Sequence, residues 1–129
     1  MRRENEVMSE ILIDHVLLDR VTKAAKESLR LRMNYNFHES LSSPSQRLLN
    51  ALEPGTVLPI HRHRHTAETY VLLRGRMRVL FYDDDKKEIN RYELDPAEGT
   101  YGVNIPRGQW HTIEVLCAGT VIFEVKDGP

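Results

Sequence analysis

The spacing of apolar and polar residues changes period once along this chain. Over 15–29, Leu17, Val21, Ala24, Ala25 and Leu29 recur at helical spacing, while Asp19, Arg20, Lys23, Lys26 and Glu27 fill the other face. Asp14 stands where an N-cap acceptor belongs. The spacing predicts one amphipathic helix with a face to bury, on the rest of the fold or on a partner chain. From residue 32 the period becomes two. Asn34, Asn36 and His38 share one parity over 32–39, and Met33, Tyr35 and Phe37 share the other. Further strands are predicted over 46–53, 57–65, 68–74, 76–82, 88–94, 101–105, 110–116 and 121–125. Turn chemistry separates them: Pro54-Gly55, Gly75, the acidic and basic run at 83–87, Asp95-Pro96, Pro106-Arg107-Gly108 and Ala118-Gly119. The 83–87 run lacks the glycine and glutamate of a calcium loop and reads as a hairpin tip. Many short strands at close spacing predict an all-β fold, an antiparallel sandwich or barrel behind one N-terminal helix.

Composition narrows the class. At 129 residues, with 40% hydrophobic and 29% charged, the chain fits one soluble globular domain rather than a disordered segment. Eighteen basic and nineteen acidic side chains leave a formal net charge of -1, so composition offers no electrostatic case for nucleic acid or an anionic membrane. A lone cysteine, Cys117, cannot close an internal disulfide and reads as a small core hydrophobe. Residues 1–6 are charged, and Asp14 and His15 interrupt the apolar cluster at 11–18. Neither a signal segment nor a membrane span is expected, and the expected location is the cytoplasm.

Three of the six histidines, His61, His63 and His65, fall within five residues. On a strand, His61 and His63 project together and send Arg62 and Arg64 to the other side. If 65–67 turns the chain, Glu68 comes back beside the two imidazoles. Imidazoles with a carboxylate suit zinc, iron, nickel, copper or manganese better than calcium or magnesium. His65 has the same parity, so it is a candidate to join the metal or to support it.

Gly55, His61, His63, Glu68 and Gly75 stand at the spacing of the first cupin motif, and Pro106, Gly108 and His111 match the centre of the second. Gly99 lies one residue further from Pro106 than usual, and Val115 replaces the usual asparagine. The flanking stretches 32–39, 46–55 and 59–63 are similar to the WbuC-type cupin-fold metalloproteins. The resemblance implies a single domain over 1–129, with a helix at about 15–29 and a jelly-roll-type antiparallel β-barrel at about 32–126. It also implies one divalent transition metal on His61, His63, Glu68 and His111, in a setting of bacterial surface-polysaccharide (O-antigen or capsule) synthesis. It implies no particular reaction.

Two function classes follow. One is a metal-dependent isomerase, epimerase or oxygenase of a small, sugar-derived substrate, with His38, His65 and Tyr70 as candidates for proton transfer. The other is a module that binds a metabolite in the same pocket without turning it over. The polar row Asn34, Asn36 and His38 is expected to face that pocket if Met33, Tyr35 and Phe37 are covered from outside. Trp110 is expected to point away from the metal. The helix, the open sheet edges and the outward Arg62 and Arg64 predict a homodimer.

Overall fold

In a computed structural model of the protein, residues 9–129 are described; the charged start at 1–6 lies outside the described residues. Helix α1 spans His15–Glu27, and the Asp14 carboxylate accepts from the Leu17 amide as its N-cap. Eight strands follow: β1 Arg32–Asn36, β2 Ser45–Leu52, β3 Glu68–Arg74, β4 Met77–Tyr82, β5 Glu88–Leu94, β6 Gly102–Ile105, β7 Trp110–Val115 and β8 Thr120–Asp127. They form two wholly antiparallel sheets, one ordered β1-β2-β8-β3-β6 and the other β5-β4-β7.

Two apolar clusters use the two faces of the larger sheet. Between the sheets, Leu52, Tyr70, Leu72, Met77, Val79, Phe81, Leu94 and Ile122 form the barrel core. On the outer face, Leu17, Leu18, Val21 and Ala25 of α1 pack on Tyr35, Leu49, Ala51 and Val121, with Met33 and Phe37 at the margin. The helix therefore buries its face on its own barrel. Arg74 pins it there, donating from Nε to the Gly119 carbonyl, from Nη1 to Asp19 and from Nη2 to Thr22.

With Met33, Tyr35 and Phe37 turned to the helix, strand parity turns Asn34 and Asn36 inward. The same alternation turns Asn50 of β2, Glu68 and Tyr70 of β3, and Glu124 and Lys126 of β8 to the inner face. Register aligns these rows: Asn34 lies opposite Asn50, Tyr70 opposite Glu124, and Glu68 opposite Lys126. One end of the barrel interior is thus apolar and the other polar.

Three predicted boundaries need correction. The helix stops at Glu27, because Ser28 is extended and Leu31 is left-handed at φ 57°, which leaves Leu29 fully exposed. The strand predicted over 32–39 ends at Asn36. The strand predicted over 57–65 does not form. After Glu53 the chain crosses from one sheet to the other: the Arg32 side chain donates from Nη1 to the Val57 carbonyl on one side, while the His61 backbone pairs with His111 on the other. Hydrogen bonds divided between two sheets make no continuous ladder. A 3-10 turn over Pro96–Glu98 closes with left-handed Gly99, and despite the longer spacing from Gly99 to Pro106, β6 still pairs with β3.

Candidate metal centre

His61 and His111 exchange two backbone hydrogen bonds, 3.0 and 2.8 Å long, and the Gly108 amide donates to the His63 carbonyl at 2.8 Å. These bonds hold the loop bearing His61 and His63 against β7. Glu68, the first residue of β3, and buried His111 complete a cluster in which one donor atom from each residue lies within 4.8 Å of every other.

The ring orientations are set from behind. Nδ1 of His61 lies 2.9 Å from the Pro59 carbonyl, and Nδ1 of His111 lies 2.9 Å from the Gln109 carbonyl. A carbonyl accepts only, so each Nδ1 carries its hydrogen and each Nε2 presents a lone pair. Nε2 of His111 stands 3.1 Å from Glu68 Oε1, and Nε2 of His63 stands 3.5 Å from Oε2. A lone pair facing a carboxylate at that distance needs positive charge between them, a proton or a metal ion. With four donors gathered, a divalent ion fits the set, and transition metals favour this mixture of nitrogen and oxygen.

Tyr70 donates its hydroxyl to Glu68 Oε1 at 2.8 Å. Burial, with the Glu124 and Glu68 carboxylates nearby, pushes the Tyr70 hydroxyl up, so it stays a neutral donor. Burial acts to raise the Glu68 carboxyl as well, but its close contact with His111 and the hydrogen bond from Tyr70 outweigh it and hold the group below the usual carboxylate range. Burial lowers His63, which favours the neutral, metal-ready imidazole.

A cavity of about 480 Å³ opens over His61, His63 and Glu68. Asn34, Asn36 and His38 line it, the two amides exposed at its mouth and His38 buried. His38 Nδ1 is anchored to the Arg47 backbone, 3.2 Å from its amide and 3.1 Å from its carbonyl. Tyr70 lines the cavity too. His65 does not: the parity that joined it to His61 and His63 fails where no strand forms, and the residue is exposed and outside the cluster. Trp110 lies on the far side of β7 from His111, under Arg62 and Lys86.

Among the cavity residues that escape the sequence reading are Asn50, Glu124 and Lys126. The Asn50 amide donates to Glu124 Oε1 at 3.0 Å. Burial and the neighbouring Glu68 push the Glu124 carboxyl up to about 7. The strand alternation that marks Asn34 and Asn36 marks these three as well.

A family described as "Domain of unknown function (DUF6016)" matches residues 13–94. The chain belongs to it. No curated protein matches the chain. Among solved structures, it is similar to the capsular polysaccharide assembling protein CapF from Staphylococcus aureus (TM-score 0.63, 22% identity), over 75% of this chain and 26% of that one. It thus spans about a quarter of CapF. It is also similar to KdgF from Halomonas sp. (TM-score 0.61, 12% identity, 76% of this chain and 79% of that one). A third likeness is the cupin domain of Cnp3 from Schizosaccharomyces pombe (TM-score 0.59, 11% identity, 76% and 65%). The DUF6016 chain therefore has the cupin fold. No helix among its described residues is long and apolar enough to cross a membrane.

Proposed function

We propose that the protein is a cupin that holds one divalent transition ion on His61, His63, Glu68 and His111 and works on a small, sugar-derived ligand in surface-polysaccharide synthesis. The observation that carries this is the convergence of four donors beside a cavity of about 480 Å³, within the size range of small-molecule sites. The polysaccharide setting is supported by the similarity of 32–63 to the WbuC-type proteins and by the fold shared with CapF, a capsular polysaccharide assembling protein. The unpaired Cys117 fits the cytoplasm.

Bound there, the ion would supply a Lewis acid for a carbonyl or hydroxyl of the ligand. The chain's own groups do the rest. Tyr70 orients Glu68 through its hydrogen bond, and His38, held by the Arg47 backbone, lines the cavity. Glu124, with its carboxyl near 7, can hold or release a proton. A carboxyl that titrates near 7 on the cavity wall favours turnover, such as isomerisation or epimerisation, over binding alone.

The test is a screen of monosaccharides and nucleotide sugars for thermal stabilisation and turnover, run on metal-loaded and chelator-treated protein. At least one compound should stabilise the loaded protein and not the stripped one. Equal responses in the two forms would contradict the reading.

The partner proposed is a second copy of the chain. Helix α1 leaves the outer face of β3 uncovered, where Val71 and Leu73 are each 38% exposed beside exposed Tyr101. Covering this face and the β6 edge is a usual reason for pairing. Light scattering should give twice the chain mass at micromolar concentration, and a monomer would contradict it.

A further inference from the structure

We propose that Lys126, Asn50 and Glu124 form a subsite beside the metal ligands that selects a small hydroxylated monocarboxylate, a sugar acid, with its carboxylate on Lys126 and its hydroxyls on Asn50 and Glu124. The inference deepens the function proposed above and rests on it only for the ion.

Lys126 faces the cavity from β8, opposite Glu68 on one neighbouring strand and Gln46 on the other. Its ammonium makes no ion pair or hydrogen bond among the described residues. Gln46 is occupied elsewhere, donating to the Leu41 carbonyl at 2.9 Å. Lys126 stands opposite Glu68 and two residues from Glu124 on the inner face of β8, and its positive charge bears on both His63 and Glu124. A half-buried cation with no direct side-chain bond is open to an anionic ligand. Two carboxylates, Glu68 and Glu124, flank it. Arg30 and Arg32 line the cavity as well, Arg32 already donating to Thr56 and to the Val57 carbonyl. The two carboxylates beside Lys126 make that part of the cavity suit a single negative charge, a carboxylate, better than the two charges of a phosphate at neutral pH.

The second element is a surplus of acceptors. Asn50 uses its amide N–H on Glu124 Oε1, and Asn50 Oδ1 is buried with no partner. Asn50 is itself only 9% exposed. A bare acceptor in that place costs stability until a donor arrives. Glu124 adds carboxylate oxygens on the same wall. Ligand hydroxyls are the donors that fit, and a carboxylate with hydroxyls nearby joins both requirements in one molecule.

Binding to metal-loaded protein is measured by calorimetry with D-glucuronate and D-galacturonate, their neutral parents D-glucose and D-galactose, the hydroxyl-free acid propionate, and D-glucose 6-phosphate. At least one sugar acid should bind about tenfold or more tighter than its neutral sugar, than propionate and than the phosphate. Lys126→Met should remove that preference, again about tenfold, with metal content unchanged. Equal binding of acid and neutral sugar, a preference for the phosphate, no effect of Lys126→Met, or no binding of either acid at millimolar concentration would each overturn the subsite. Should Lys126→Met fail to fold, the selectivity of the unaltered protein decides alone. Metal content measured on the same samples separates this outcome from the metal reading: acids bound without metal remove only the ion, and metal bound without acids removes only the subsite.

Discussion

The guanidinium of Arg62 stacks on the indole of Trp110, 4.5 Å from the ring centroid. Arg62 sits between His61 and His63, and Trp110 directly precedes His111. The stack therefore fastens the loop to β7 from the outside, behind three metal-binding candidates. The Arg62 Nε is buried without a partner, and its ion pair with Asp84 is long at 3.7 Å and exposed on the Asp84 side. Packing on the indole, and not hydrogen bonding, holds the side chain. Trp110→Ala should lower metal affinity by about two- to fivefold, the worth of a cation–π contact of roughly 0.5–1 kcal/mol. A competition titration with a chelator measures it, and an unchanged affinity would show that the loop is held without the stack.

The strand hairpin that follows the metal-binding segment depends on Gly75. Its φ is +96°, and a Cβ there would meet the Thr120 Cα at 2.6 Å. Thr120 is fully buried and cannot retreat. Gly75→Ala should destabilise the fold by roughly 1–3 kcal/mol, read as a fall in melting temperature of several degrees. A melting temperature equal to that of the unaltered protein would contradict the packing described at this turn.

Much of this site was legible in the sequence, and the reason is physical. Glycine at a left-handed turn, paired imidazoles and a following carboxylate are constraints of local spacing, so Gly55, His61, His63, Glu68 and Gly75 announce themselves together. The loop at 57–65 was not legible. Its alternation mimics a strand, but its backbone makes one isolated bridge, to His111, and is otherwise held by contacts such as the Arg32 guanidinium on the Val57 carbonyl. Leu29 misled in the same way, because helical spacing continues past the point where Ser28 turns the backbone out of the helix. Asn50, Glu124 and Lys126 were hidden for a different reason. Polar residues on a strand read equally well as a solvated face, and only the helix packed on Leu49, Ala51 and Val121 shows that their face is the interior.

Glu124 gives stability a pH dependence in the metal-free protein. Its carboxyl is raised from 4.5 to about 7 by burial first and by Glu68 second. The folded state then binds the proton more tightly than the unfolded chain does. The stability this contributes is complete below pH 4.5 and is lost as pH rises to about 7. Glu124→Gln should flatten that part of the profile relative to the unaltered protein, measured by denaturant unfolding in chelator across this range. Parallel profiles for the two proteins would contradict a protonated Glu124.

The central claim is that His61, His63, Glu68 and His111 hold one metal ion. Elemental analysis of anaerobically purified protein tests it most directly, with His61→Ala and His111→Ala prepared alongside and their folding checked by circular dichroism. The expected result is about one transition-metal ion per chain in the unaltered protein and near-complete loss in both variants, each still folded. Metal content unchanged in the two variants would contradict the claim.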